Sequence, residues 1–500
     1  MTQAVNRADC AVMTAKPRNK VVLVFAHKHD NLVKPRLPLA SLAMAPYLTD
    51  EGFDVEVLDT RMRDYKSVDW SNVLCVGFTA WTGNQIKYSL DVAKYIRSTD
   101  PSIKLIWGGA HPEALPEQTL DDPRVDIVAR GEGELTMAKI AVALRDGINL
   151  KDIKGIVIKT KDQKYFYTPP VELADMGDLK RPLYDLVDVS KYNTEIFHYY
   201  FSRGCPHRCE FCADSVFKQA TSYRTKPIAQ VIEELKWIKE KFHPKIISFV
   251  DDNVFVNRIK AKELFVAIKE ANLGLKYTAS CRFDYFSTFD KDFITLLKDA
   301  GLQTVHFGGE SGSQDMLDYI KKDVKLSQMV RSIELSKIIG LNPQSSFIIG
   351  LPEERPTDLM RTLNFIDMIH GINENTDING IFLFTPLPGT ALYNKAIQLG
   401  FKPPKTFEEW GDYNFGKVTD VPWLKKLNKN YLLTIELISR FPFLEHKLIA
   451  DFEKHKKLPF FHELAYKFYR WNARQRWKHK FFRFNYEWRL FHYVRKGYSL

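Results

Sequence analysis

Short apolar runs alternate with amphipathic helical ones along most of this 500-residue chain, in two separate blocks. Alternation of that kind predicts parallel strands joined by crossover helices, hence an α/β fold. The first block begins at Lys20. Its strand-like runs are Val21–Phe25, Val55–Leu58, Val73–Phe78, Lys104–Trp107 and Val125–Val128, with helical patterns at Leu42–Leu48 and Ile86–Ile96. This predicts a doubly wound, Rossmann-like domain over residues 19–140. The second block resumes near Glu195. An aromatic run, Tyr199–Phe201, is followed by apolar runs at Ile246–Val250, Tyr277–Ala279, Thr304–Phe307, Ser346–Ile349 and Ile381–Phe384. Six βα units over residues 194–403 predict a partial (β/α)6 barrel with its chemistry at the carboxyl ends of the strands. Residues 1–18 read as a loose leader and 141–193 as a connector holding a short hairpin. Residues 404–500 read as a mostly helical region.

Charge and cysteine usage narrow the setting. The net charge is +11, yet residues 451–500 carry thirteen Lys and Arg against four Asp and Glu, so most of the excess sits in that last tenth. The same segment holds sixteen aromatic residues. Basic aromatic helices suit either a packed helical layer or a peripheral membrane contact. Nucleic-acid binding is disfavoured, because the segment contains no recognition module. Six cysteines in a chain of this length are no disulfide framework. There is no signal-like leader and no run of eighteen apolar residues. A reducing, cytoplasmic location is the expectation.

Three of the six cysteines fall in one stretch, FSRGCPHRCEFCADSVF, at Cys205, Cys209 and Cys212. A closed structural zinc site wants four ligands, usually as two pairs, and Cys10, Cys75 and Cys281 are isolated. Three thiolates on one tight loop suit an iron–sulfur cluster that keeps one iron open. The loop leaves the end of the first barrel strand.

This C-x-x-x-C-x-x-C spacing, with Phe211 before the last cysteine, resembles the radical S-adenosylmethionine (SAM) superfamily. The resemblance implies a [4Fe–4S] cluster on the three cysteines. Its open iron would bind SAM, which an electron from the cluster cleaves to a 5′-deoxyadenosyl radical. Further motifs agree, over about Ile196–Pro388. Asp251 and Asp252 resemble the family's acidic turn after the second strand. Gly309, Glu310 and Ser311 stand in a G-x-E-S-G-S pattern. Gly350 lies in the adenine-side motif Phe347–Glu354, and Arg282 after the third strand would pair with the SAM carboxylate. The residues also have plainer readings: Asp251 and Asp252 as helix caps, Arg282 as an ion pair with Asp284.

In front of such a barrel, the doubly wound domain resembles the cobalamin-binding domain of the cobalamin-dependent radical SAM subfamily. The implied cofactor loops hold Thr79, Thr82 and Gly83 near the corrin. Gly108 and Gly109, with Gly131, Glu132 and Gly133, would cradle the nucleotide tail. A cobalt-ligating D-x-H-x-x-G is absent, which leaves the lower ligand unassigned. The function implied is radical methylation of an unactivated carbon in a small-molecule, lipid or tetrapyrrole substrate. An external donor such as flavodoxin or ferredoxin would supply electrons. Two alternatives remain: oxidative or ring-forming chemistry on a tetrapyrrole, in the manner of the anaerobic cyclase, and a non-catalytic cobalamin-binding cluster protein.

Overall fold

The structure is a computed structural model of the chain and describes residues 18–28, 34–217, 222–413, 421–439 and 460–484. The expected leader, apart from its last residue, lies outside these residues. So does the part of the basic tail after Phe484.

The first sheet has seven strands in the order β2-β1-β3-β4-β5-β6-β7. They are β1 (Lys20–Phe25), β2 (Asp54–Asp59), β3 (Val73–Thr79), β4 (Lys104–Gly108), β5 (Ile127–Ala129), β6 (Ile156–Lys159) and β7 (Tyr165–Tyr167). The first five are parallel. Central β1 is apolar on both faces because helices cover both; Val21, Val22, Leu23 and Val24 are fully buried. Chain order reverses between β1 and β3, and the crevice at such a switch point is where doubly wound sheets bind ligands.

The expected connector is partly absorbed into this sheet. Helix Gly133–Asp146 runs through residue 140. The hairpin β6–β7 then adds antiparallel to β5. Strands of four and three residues carry too little periodicity to show that the expected hairpin belongs to this sheet.

The second sheet is parallel throughout, in the order β8-β11-β12-β13-β14-β15. Between β8 (Ile196–Tyr199) and β11 (Ile246–Phe249) come the two-residue strands β9 (Ser202–Arg203) and β10 (Arg224–Thr225). The sheet continues with β12 (Lys276–Ser280), β13 (Leu302–Glu310), β14 (Asn342–Ile349) and β15 (Asp377–Leu383). No pairing joins β8 to β15, so the barrel is open, as six units predict. Its helices turn an apolar stripe inward. In Ile228–Phe242 that stripe buries Val231, Leu235 and Ile238, and the helix stops at His243 in the left-handed region.

The region after residue 404 folds back on the first domain. Phe407 and Trp410 are buried, with Phe407 edge-on to Trp107 at 5.1 Å. Helix Phe460–Lys478 docks on the barrel, where Trp477 donates to Asp367 at 2.7 Å. No helix among the described residues is long and apolar enough to cross a membrane.

Candidate active site

β9 and β10 pair antiparallel, Arg203 against Arg224 and Ser202 against Thr225. They close the base of a loop that contains all three clustered cysteines. Gly204, at φ +88°, turns the chain out of β9. Asp251, just beyond the end of β11, braces the base. Its buried carboxylate accepts from the Phe201 amide at 3.1 Å, from the Ser202 amide, and from Ser202 Oγ at 2.5 Å. Burial pushes this carboxyl up to about 6, against the pull of those hydrogen bonds. Asp251 therefore holds the loop's backbone. Burial and the neighbouring charges of Asp214 and Asp251 push the Asp252 carboxyl up to about 7.

Cys209 is buried; Cys205 and Cys212 are partly exposed. Burial pushes the thiols of Cys205 and Cys212 upward. They become thiolates only beside a cation, such as cluster iron. Arg282 stands 3.6 Å from Cys209 Sγ through Nη1, donates to the Lys322 carbonyl at 2.5 Å, and pairs with Asp284 at 2.9 Å. Among the described residues no three His, Cys, Asp or Glu side chains converge on a single metal ion. A cluster does not require that, because each thiolate takes a different iron. Three thiols on one loop, one of them beside an arginine, are a donor set that fits it.

Glu310 ends β13 in the left-handed region at φ +59°, a strained setting for a non-glycine residue. Its buried carboxylate pairs with buried Lys322 at 2.8 Å. The neighbouring glycines make room: a Cβ on Gly308 would lie 2.3 Å from Glu310 Oε1, and one on Gly309 would lie 2.9 Å from the Phe347 ring. Lys322 Nζ also sits 5.7 Å from the centre of the Phe211 ring. Ser311 turns away and meets Thr362 Oγ1 at 3.1 Å. Gly350, at φ +73°, donates its amide to Glu354 at 2.5 Å.

Glu310, Arg282 and Phe211 thus gather around the cysteine loop, while Asp251 and Ser311 serve neighbouring backbone and side chains. Lys322 escaped sequence reasoning. A single lysine after a short helix carries no pattern. Glu210 escaped as well; it is buried inside the loop, bridging Lys321 at 2.8 Å and Lys395.

Across from this loop lie the carboxyl ends of the first sheet. Thr79 ends β3 and Gly108 ends β4, and Gly83 opens helix Asn84–Thr99. Their loops interlock: the Ala80 amide donates to Gly108 at 2.9 Å and the His111 amide to Ala80 at 3.2 Å. A Cβ on Gly109, at φ +97°, would stand 3.0 Å from the Ala80 carbonyl. Thr82 Oγ1 meets His111 Nδ1 at 2.9 Å. Gly131 donates to Glu113 at 2.9 Å, Gly133 opens the next helix, and Glu132 points to the barrel, bonded to Arg203 and Arg224. The Cβ positions of Gly108, Gly109 and Gly133 are closed by Ala129, Ala80 and Met44, so these glycines let the loops pack tightly, and the strand ends they frame beside the β1/β3 switch point fit a broad cofactor lying against them. The two edges pack together, helix Ala110–Ala114 against the turn Ala213–Val216 that follows Cys212, and both lie close to Gly389.

The sequence model of the Radical SAM superfamily matches residues 199–366. That of the B12 binding domain matches residues 35–141. An uncharacterized methyltransferase of Pyrococcus horikoshii is 31% identical over 73% of this chain and 78% of its own. The chain belongs to the cobalamin-dependent radical SAM family. An anaerobic magnesium-protoporphyrin IX monomethyl ester cyclase of Synechocystis is 26% identical over 65% of this chain and 67% of its own. The fold is shared with the radical SAM methyltransferase TsrM of Kitasatospora setae, solved with cobalamin and a [4Fe–4S] cluster. There the TM-score is 0.69 at 17% identity, covering 91% of this chain and 99% of that one. This family member is accordingly an enzyme whose cofactors are a [4Fe–4S] cluster, SAM and cobalamin.

Proposed function

We propose that the enzyme methylates an unactivated carbon of a small, lipid-like or tetrapyrrole substrate, drawing on both cofactor domains in one turnover. The packing of helix Ala110–Ala114, at the carboxyl end of the first sheet, against the turn Ala213–Val216 of the cysteine loop supports this reading. When bound, the cluster and SAM supply one-electron cleavage chemistry and cobalamin supplies a transferable methyl group.

The residues divide the remaining work. Cys205, Cys209 and Cys212 hold the cluster. Arg282 holds the Cys209 side of the loop in place and offers a cation to the SAM carboxylate. Glu310, presented by Lys322, takes the ribose or amino end of SAM. Gly309 and Gly350 let SAM approach the backbone, and Phe211 walls the site. Thr79, Thr82, Gly83, Gly108, Gly109, Gly131 and Gly133 line the cobalamin side. A reduced flavodoxin or ferredoxin of the cytoplasm supplies electrons, and the exposed aromatic, basic face of helix Phe460–Lys478 rests on anionic membrane.

Anaerobic reconstitution with iron, sulfide, hydroxocobalamin, SAM and reductant tests the reading. It expects retained corrin and 5′-deoxyadenosine, with product heavier by one methylene. An oxygenated or cyclised product would support the cyclase-like alternative instead, which the cyclase relative favours. Absence of 5′-deoxyadenosine under reduction would leave only a binding protein.

A further inference from the structure

The base of the cysteine loop carries two arginines directly opposite each other, Arg203 on β9 and Arg224 on β10. Like charges in that position repel. The cost is offset from the other domain. Glu132 receives Arg203 at 3.3 Å and Arg224 more closely, and Glu134 receives Arg203 at 2.5 Å. Arg203 also lies 4.8 Å from the centre of the Tyr200 ring, and Arg224 donates to the Ala174 carbonyl. Two cations and two anions balance, and all four side chains are largely covered.

The placement of this network is the telling point. Its barrel half closes the loop that bears Cys205, Cys209 and Cys212. Its other half is Glu132, between Gly131 and Gly133, with Glu134 just beyond. One layer of side chains therefore joins the cluster loop to the cobalamin-side loop. Covered ion pairs of this kind add little stability over well-packed apolar groups. Arginine forks do fix angle as well as distance, which a lysine cannot.

We infer that Arg203 and Arg224 are positioning residues that hold the cluster loop in register with the cobalamin cradle. The inference rests on the two-cofactor reading above and adds the device that sets the separation of the two sites. Group transfer between sites is steeply sensitive to such spacing; a displacement of about 1 Å costs on the order of a hundredfold.

The test measures the dipolar coupling between the reduced cluster and cob(II)alamin in reconstituted full-length protein. The variants are R203M, R224M, the double variant, and R203K. Expected are unchanged iron and corrin content and dithionite-driven SAM cleavage within about twofold of wild type. The distance distribution shifts or widens by about 1 Å or more in R203M, and further in the double variant. R203K falls between, because it keeps the charge and loses the fork. Wild-type coupling in the double variant overturns the inference alone. So does a loss of cofactor content and thermal stability with unchanged coupling in the protein that remains loaded, which would make the network simple domain adhesive. A wild-type protein that keeps no corrin overturns the two-cofactor reading and this inference with it.

Discussion

Lys322 Nζ lies 2.8 Å from Glu310 Oε1, and both side chains are buried beside the cysteine loop. Removing one partner strands the other charge. Lys322→Met should therefore destabilise the fold by about 3–5 kcal/mol, whereas the double variant with Glu310→Gln should recover part of that. Denaturant unfolding of the anaerobic protein measures it. SAM binding should separate from stability: the double variant refolds but still binds SAM weakly by equilibrium dialysis. Wild-type affinity in the double variant would remove Glu310 and Lys322 from the SAM site.

Each of Cys205→Ala, Cys209→Ala and Cys212→Ala should abolish SAM cleavage and lower bound iron. Cys281→Ala is the control. Cys281 is buried, and burial holds its thiol well above the ordinary range, so it stays protonated. Iron content and 5′-deoxyadenosine formation are the measurements. Retained cleavage in any of the three loop variants would break the ligand assignment.

The cysteine loop was legible because its spacing is chemical: one tight loop, three thiols, placed after the first barrel strand. The centre of the first sheet was legible because a parallel strand covered on both faces reads as a continuous apolar run, as Val21–Phe25 of β1 does. What stayed hidden is non-local. β9 and β10 have two residues each, too short for any period, yet they define the loop's base. Glu132 read as part of a glycine-rich cradle, and only the packing of one domain on the other turns it to Arg203 and Arg224. Phe407 and Trp410 form no local pattern, because their partner His111 lies in the other domain, far away in sequence.

That packing has a consequence for acid stability. His111 is enclosed by Phe407 and Trp410 and bonded to Thr82, and Nε2 finds no partner among the described residues. Burial pulls its pKa from 6.5 down to about 3. Between these values the unfolded chain binds a proton that the folded one refuses. The contribution of His111 is complete above about 6.5 and is lost as pH falls towards 3, on the order of a few kcal/mol. His111→Asn keeps a hydrogen-bonding group for Thr82 without the titration. Its stability relative to wild type should rise as pH is lowered from 7 to 5, read by denaturant midpoints. A constant difference across that range would mean that His111 is not the titrating group.

Helix Phe460–Lys478 has two unlike faces. Ala473 and Trp477 are buried against the barrel, while Phe468 and Trp471 are 65% and 57% exposed, with their rings 6.0 Å apart. Arg474 and Lys478 continue the exposed side. Aromatic rings flanked by cations suit the boundary between headgroups and acyl chains of an anionic bilayer. Phe468→Ser with Trp471→Ser should weaken co-sedimentation with phosphatidylglycerol vesicles by about tenfold or more. Stability should change by less than about 1 kcal/mol, since neither ring is in the core. Raising the salt should weaken wild-type binding further, through screening of the basic residues. Equal binding by the double variant and the wild type would assign these rings to the protein's own surface packing and end the case for a membrane contact there.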